Sequence, residues 1–158
     1  MQENVVRGEF KPFNASTYKV GIVVAQFNRD ITEAMLKSAV EKASEYQLPE
    51  KKLNIYTVPG SIEIPSILQA LAKTKEYDCL VAIGCVIRGD TVHFDYVNKL
   101  VSEGTQGVSL GHNIPIGFSV LMCESKEQAS ARVSVGADAL VAALESVKVI
   151  KEIDARHG

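Results

Sequence analysis

The residues best suited to acid–base or phosphate chemistry lie between Gly84 and His93. His93 carries an imidazole, which can gain and lose a proton near neutral pH. Gly89, Asp90 and Thr91 precede a predicted helix, whose free N–H groups and dipole favour a bound phosphate. Simpler interpretations stay open, because Asp90 or Thr91 can be a helix cap and His93 a capping or packed residue.

The segment 84–91 also resembles a nucleotide-triphosphate loop in its glycine spacing, but Asp90 occupies the lysine position. An aspartate there would repel the outer phosphates, so the sequence argues against such a loop. Arg132 is a further candidate for phosphate, because a guanidinium can hold a phosphate through two hydrogen bonds. Taken alone, Arg132 is better explained as an exposed cation at a helix end.

Two more candidate positions follow predicted strands. Phe27 ends the first strand, where an aromatic ring can stack on a flat heterocycle, although a buried core phenylalanine is an equally good explanation. Ser61, Ile62 and Glu63 follow the turn Pro59-Gly60, and glycine lets the backbone approach a ligand closely. Glu63 can bind a polyol, but in isolation its charge is better explained by the helix dipole.

Hydrophobic periodicity predicts how these residues are positioned. Continuous apolar runs are typical of strands buried on both faces, and apolar residues three or four apart indicate helices. The predicted strands are residues 19–26, 53–58, 78–84 and 115–122, and the predicted helices are residues 31–46, 61–72, 93–103, 126–132 and 137–153. Ser125 is the expected N-cap of the fourth helix.

This order of strands and helices predicts an α/β fold, a three-layer αβα sandwich with a flavodoxin-like, doubly wound, parallel four-stranded sheet. Ligands of such sheets bind beyond the carboxyl ends of the strands, where the candidate residues lie. Residues 1–17 are expected to form an N-terminal arm that can add a strand to a neighbouring subunit, and residues 18–158 a single domain.

Composition excludes several classes of protein. The net charge of −2 and the absence of a basic stripe argue against nucleic acid, and no apolar run is long enough for a membrane. The three cysteines and three histidines are scattered, so no metal site is expected. The first ten residues lack the apolar region of a signal peptide, which favours the cytoplasm, or an organelle stroma after removal of a transit peptide.

Considered together, the motifs resemble those of the 6,7-dimethyl-8-ribityllumazine synthase family of riboflavin biosynthesis. The matching segments occur in the family's order and cover nearly the whole chain from Tyr18 onward. They are Gln26-Phe-Asn28, Val58-Pro-Gly-Ser-Ile-Glu-Ile-Pro65, Ala82-Ile-Gly-Cys-Val-Ile-Arg-Gly-Asp-Thr-Val-His-Phe-Asp-Tyr-Val97, Pro115-Ile-Gly-Phe-Ser-Val-Leu121 and Glu127-Gln-Ala-Ser-Ala-Arg132.

The resemblance implies a transferase that condenses 5-amino-6-(D-ribitylamino)uracil with L-3,4-dihydroxy-2-butanone 4-phosphate. The amine forms an imine with the ketone, phosphate is eliminated, and the ring closes with loss of water. No metal or organic cofactor is implied. His93 would be the catalytic residue and would shuttle protons.

The resemblance also assigns binding roles. The residues that would bind the ribitylaminouracil are Phe27 by stacking, Ser61, Ile62 and Glu63 at the ribityl chain, Cys85, Val86 and Ile87 through their backbone, and Phe118 from a neighbouring subunit. The residues that would bind the butanone phosphate are Asp90, Thr91 and, from the same neighbour, Arg132.

The resemblance further implies self-association into a pentamer or a sixty-subunit shell with active sites at subunit interfaces, and riboflavin synthase as a candidate partner. One departure is the short segment Val133-Ser-Val-Gly136, where the family has a longer turn rich in glycine and lysine. That departure keeps open a non-catalytic homologue that binds lumazine or flavin or forms a cage. An unrelated flavodoxin-like signalling or electron-transfer domain would have no reason to carry His93 and Arg132 at these positions.

Overall fold

The structure, a computed structural model, describes residues 8–89 and 92–158. Its strands are β1 (Val20–Ala25), β2 (Leu53–Val58), β3 (Cys79–Ile87) and β4 (Ile116–Cys123). Its α-helices are α1 (Arg29–Glu45), α2 (Ile64–Thr74), α3 (His93–His112), α4 (Lys126–Ser130) and α5 (Val135–His157). Short 3₁₀ turns cover Glu50–Lys52 and Ser61–Glu63.

The four strands form one parallel sheet in the order β2-β1-β3-β4. Helices cover both faces, so the predicted three-layer α/β fold is confirmed. The centre of the sheet is dry because β1 and β3 are apolar on both faces. Ile22 and Val24 point into the core beneath α1 and α5, whereas Val23 and Ala25 point into the core beneath α2 and α3. This alternation is the two-residue period of a strand.

Two glycines allow α5 to approach its neighbours closely. A Cβ at Gly117 would clash with the carbonyl oxygen of Ala139, and a Cβ at Gly136 would clash with that of Met35. Side chains at these positions would push α5 away from β4 and α1. Glycine is therefore needed for packing at both places.

The observed elements extend beyond several predicted bounds. β3 continues for three residues past Gly84, because its continuous apolar run and its pairing with β4 extend as far as Ile87 and Cys123. α3 continues from its predicted end at residue 103 to His112. Gly104 does not end the helix. A Cβ at this position would lie only 2.9 Å from the Pro65 ring, so the glycine allows α2 and α3 to pack closely. It is a packing position between α2 and α3.

The described part of the N-terminal segment packs on the domain at Phe13 and Ala15. The Phe13 ring makes edge contacts with Tyr18 and Tyr46, with ring centroids 6.0 and 5.1 Å away. Ala15 is fully buried, and its N–H donates to the Tyr46 carbonyl at 2.8 Å. Phe10, by contrast, is 58% exposed.

No helix within residues 8–89 and 92–158 is both long and apolar enough to cross a membrane. The same residues contain no group of three or more His, Cys, Asp or Glu side chains arranged to hold a metal ion.

Candidate active site

A cleft of about 400 Å³ opens at the carboxyl end of the sheet, where β1, β2 and β3 end. Its volume lies within the range of small-molecule sites. The residues that line it are Phe27, Asn28, Gly60, Ser61, Ile62, Glu63, Cys85, Val86, Ile87, His93 and Val97. The structure thus brings eight of the twelve sequence-predicted site residues to one place.

Phe27 is not a core residue, because its side chain is 68% exposed. The chain leaves β1 toward β2, and the N–H of Phe27 donates to the carbonyl of Pro59 at 3.0 Å. The ring lies close to Gly60, where an added Cβ would be 2.7 Å from the ring Cδ2 atom. Burial therefore does not explain this aromatic ring, whereas stacking on a flat ligand would use its exposed face.

The turn from Ser61 to Glu63 forms a second wall of the cleft. Ser61 is buried, and its hydroxyl packs against Gly84, where a Cβ would lie 2.5 Å from Oγ. Ile62 is 45% exposed, and Glu63 is half-buried at the beginning of α2. Glu63 is therefore near the positive end of the α2 dipole and at the cleft at once, so its two interpretations are compatible.

The third wall is the end of β3. We expected Cys85, Val86 and Ile87 in a loop after this strand, and that expectation is wrong, because all three residues belong to β3. Cys85 is only 3% exposed, and burial raises the pKa of its thiol to about 11. Its side chain is thus a neutral core group, and a ligand can reach Cys85 chiefly through its backbone.

His93 is the first residue of α3 and lies exposed at the rim of the cleft. Phe94 and Val97 anchor this end of the helix, with 8% and 6% of their surface exposed. The N-cap of α3 is Val92, which makes no side-chain capping hydrogen bond. Asp90 and Thr91 themselves lie outside the described residues.

Arg88 is a residue whose role the sequence did not reveal. Its Nε lies 2.8 Å from a carboxylate oxygen of Glu124, and its Nη2 lies 3.5 Å from Asp95 Oδ1. The guanidinium also lies 4.4 Å from the centre of the Phe94 ring. Arg88 therefore ties the end of β3 to the end of β4 and to the first turn of α3.

Asn28 also received no role from its position in the sequence. Its side-chain Nδ2 donates to the carbonyl of Cys85 at 2.9 Å, across 57 residues of chain. Asn28 also has φ 59° and ψ 46°, in the left-handed region. An asparagine after an aromatic residue at a strand end was the available signal, because Asn adopts this conformation more readily than most residues.

Phe118 and Arg132 do not line the cleft. Phe118 is 41% exposed and pairs with Ala82 across the sheet, four residues before Val86. That offset corresponds to about 13 Å along a strand. Arg132 is half-buried after α4, and its Nη1 donates to the carbonyl of Gln128 at 2.8 Å. Neither Phe118 nor Arg132 is among the residues that line the cleft of the same chain.

The short turn after Arg132 is held by internal hydrogen bonds and by contacts with α1. The N–H of Val135 donates to the Arg132 carbonyl at 3.0 Å. Ser38 Oγ on α1 accepts from the Ala137 N–H at 3.1 Å, and its hydroxyl lies within donating distance of the carbonyls of Met35, at 2.7 Å, and Val133, at 3.1 Å. The segment therefore runs continuously into α5 and packs against α1 without any additional loop.

Comparison with known proteins agrees with this geometry. The family model of 6,7-dimethyl-8-ribityllumazine synthase matches residues 17–151. The chain belongs to this family. Three proteins named 6,7-dimethyl-8-ribityllumazine synthase, from the Dugway 5J108-111, CbuG_Q212 and RSA 493 strains of Coxiella burnetii, are each 42% identical to it over 144 residues. Each match covers 88% of this chain and 95% of the relative.

The lumazine synthase family match spans all four strands and every described residue of the cleft. Phe118, Arg132 and the short turn also fall within the matched range. The departure after Arg132 is therefore a feature of a chain that is otherwise similar to lumazine synthases along almost its whole length.

Proposed function

We propose that this protein catalyses the condensation of 5-amino-6-(D-ribitylamino)uracil with L-3,4-dihydroxy-2-butanone 4-phosphate. The products are 6,7-dimethyl-8-ribityllumazine, phosphate and water, in the penultimate step of riboflavin biosynthesis. Family membership and the names of the relatives support this proposal. Within the chain, it is carried by one cleft in which the exposed Phe27 ring, Glu63 and His93 face the end of β3.

The pyrimidine is proposed to stack on Phe27, whose exposed ring offers a flat apolar face. Its polar edge would meet the backbone of Cys85, Val86 and Ile87. The ribityl chain would extend along the turn Ser61–Glu63, where the Glu63 carboxylate can accept hydrogen bonds from hydroxyl groups.

His93 is proposed to move protons during imine formation and phosphate elimination. Its place at the rim of the cleft supports this role. General acid–base catalysis of this kind contributes about 10²–10⁴-fold. Holding two reactants in register contributes more, roughly 7–11 kcal/mol of the barrier. We therefore expect the shape of the cleft to matter more than His93.

The phosphate of the second substrate is proposed to bind near the N-terminus of α3, at Asp90 and Thr91, with Arg132 as the countercharge. The N-terminus of a helix favours an anion through its free N–H groups. Arg88 precedes this segment and is engaged with Glu124 and Asp95. It is thus suited to anchor the segment, while Arg132 supplies the charge.

The active unit is proposed to be a ring of five subunits, alone or as part of a sixty-subunit shell. Phe118 and Arg132 do not line the cleft of their own chain, and they are proposed to serve the cleft of a neighbouring copy. In the described part of the arm, residues 8–17, there is no strand, and Phe10 is exposed. An arm over residues 1–17 can then pair with a neighbour's sheet edge. Riboflavin synthase remains a candidate partner.

The cytoplasm is the proposed compartment, or an organelle stroma if a transit peptide was removed. Cys79, Cys85 and Cys123 are all free and buried. Free thiols are typical of a reducing compartment.

The deciding experiment is incubation of the purified protein with both substrates, following the absorbance of the lumazine product and the release of phosphate. We expect both signals to appear in equal amounts. Product binding without turnover would support the non-catalytic homologue instead. Omission of either substrate is the control, because both signals must then disappear.

A further inference from the structure

We propose that Asn28 is a positioning residue, which holds the backbone at the end of β3 in the geometry that binds the pyrimidine. Its side-chain amide would replace a main-chain donor that β1 does not supply. The inference rests on the proposed function for the identity of the ligand. The contact between Asn28 and β3 itself is independent of that function.

The register of the sheet shows which donor is missing. β1 pairs with β3 as far as Val24 opposite Ile83. If this parallel register continued, the N–H of Phe27 would reach the carbonyl of Cys85. The N–H of Phe27 instead donates to the carbonyl of Pro59 at 3.0 Å, because the chain has turned toward β2.

A buried carbonyl that loses its ladder donor needs another partner. Asn28 provides it, since Nδ2 lies 2.9 Å from the Cys85 oxygen. The left-handed backbone of Asn28 also makes the turn out of β1 and into α1. One residue thus redirects the main chain and returns a side-chain donor to β3.

The wall of the cleft depends on this bond because β3 is supported unequally on its two sides. On the β4 side, pairing continues to Ile87 opposite Cys123, and the backbone N–H of Arg88 donates to the Cys123 carbonyl at 2.9 Å. On the β1 side, backbone pairing has already ended at Ile83. Backbone groups of alternate residues point to the same neighbouring strand, so the N–H and C=O groups of Cys85 and Ile87 point to the β1 side, away from β4. Asn28 is the described group that fixes Cys85 there.

Two substitutions separate the amide from the backbone conformation. Asn28→Gly keeps the left-handed conformation available but removes the donor. Asn28→Asp keeps the size and much of the tolerance for that conformation, but sets a carboxylate oxygen against the Cys85 carbonyl. Asn113→Gly is the matched control. Asn113 is also left-handed, with φ 52°, but it precedes β4, at the amino end of the sheet and away from the cleft.

The measurements are the KM values of both substrates, and hydrogen exchange of the segment 84–89 in the ligand-free protein. We expect Asn28→Gly to raise the KM for the pyrimidine about three- to tenfold, the effect of one lost hydrogen bond. The KM for the butanone phosphate should stay within about twofold, and exchange at 84–89 should quicken. Asn28→Asp should be worse than Asn28→Gly, and Asn113→Gly should resemble wild type in both measurements.

The inference is overturned if exchange at 84–89 is unchanged in Asn28→Gly, which would mean that the amide does not hold β3. It is also overturned if Asn28→Asp behaves as wild type, because only the backbone conformation would then matter, or if both KM values rise equally. Wild-type protein that forms no lumazine refutes the proposed function instead. In that case the exchange comparison alone decides whether Asn28 holds β3.

Discussion

The ring of Phe27 lies so close to Gly60 that a Cβ on residue 60 would be 2.7 Å from Cδ2 and 2.9 Å from Cε2. Gly60 has φ −136° and ψ 175°, an extended conformation that any residue adopts. The backbone therefore does not require glycine at this position. The close approach of the ring does.

Gly60→Ala is expected to displace the Phe27 ring and to raise the KM for the pyrimidine about fivefold. Aromatic stacking on a base contributes about 1–3 kcal/mol, so Phe27→Ala should have a larger effect, at least tenfold. Steady-state kinetics of both single variants and the double variant test this. In the double variant, Gly60→Ala should add almost nothing to Phe27→Ala. Additive effects would show that Gly60 acts without the ring.

His93→Ala is expected to slow turnover by about one to two orders of magnitude without abolishing it. The reason is that orientation of the substrates contributes more to this reaction than proton transfer. Measurement of kcat in a variant with wild-type assembly tests the prediction. Complete loss of activity in such a variant would make His93 indispensable and contradict our estimate of its share.

Arg132→Ala is expected to raise the KM for the butanone phosphate far more than the KM for the pyrimidine. The short turn after Arg132 carries no lysine, so the guanidinium is the principal countercharge that we assign to the phosphate. Arg132→Lys serves as a matched variant, because it keeps the charge but loses the two-pronged hydrogen bonding. It should fall between wild type and Arg132→Ala. Equal changes in both KM values would show that Arg132 does not bind the phosphate.

Mixed assemblies are expected to regain activity if the site is shared between subunits. Phe27→Ala and Arg132→Ala damage the two halves that would come from different chains. Unfolding and refolding the two variants together should then produce some interfaces with both native residues. We expect activity above the sum of the separately refolded variants, with assembly size checked by light scattering. A fully active monomer at nanomolar concentration would contradict the shared site.

Stability is expected to fall as the pH rises above about 9. Burial raises the pKa of the Cys85 thiol from 9.0 to about 11, and nearby Cys123 and Asp30 add to the shift. Burial also raises the pKa of the Cys79 thiol. Between these pH values the unfolded chain releases protons that the folded chain retains. The free energy of unfolding should therefore decrease, by at most about 1.4 kcal/mol per pH unit for each such thiol.

Urea unfolding at pH 8, 9 and 10, at one protein concentration, measures this slope. Cys85→Ala is the control, because it removes one titrating thiol from the folded and unfolded states alike. Its stability should decline less steeply with pH than that of wild type. Parallel declines would assign the effect to other groups, such as the buried Tyr18 and Tyr46, whose pKa values are also raised by burial.

Sequence patterns predicted the elements well where the signal is local. The four strands and five helices were found, and Ser125 caps α4 as expected, accepting from the Gln128 N–H at 3.2 Å. The predicted end of α3, at residue 103, is nine residues too early, because a glycine such as Gly104 often follows the last residue of a helix. Its actual neighbour, Pro65, is 39 residues away and is visible only in the folded chain.

The sequence by itself determined the layers of the fold, the family and the edge of the sheet at which the candidate residues gather. It could do so because apolar periodicity is local and parallel strands all end at the same edge. Only the tertiary structure decided that Phe27 is exposed beside Gly60, that the Asn28 side chain donates to the Cys85 carbonyl, and that Phe118 and Arg132 do not line the cleft. These outcomes depend on distances and exposure set by segments far apart in the chain, which no local pattern of residues records.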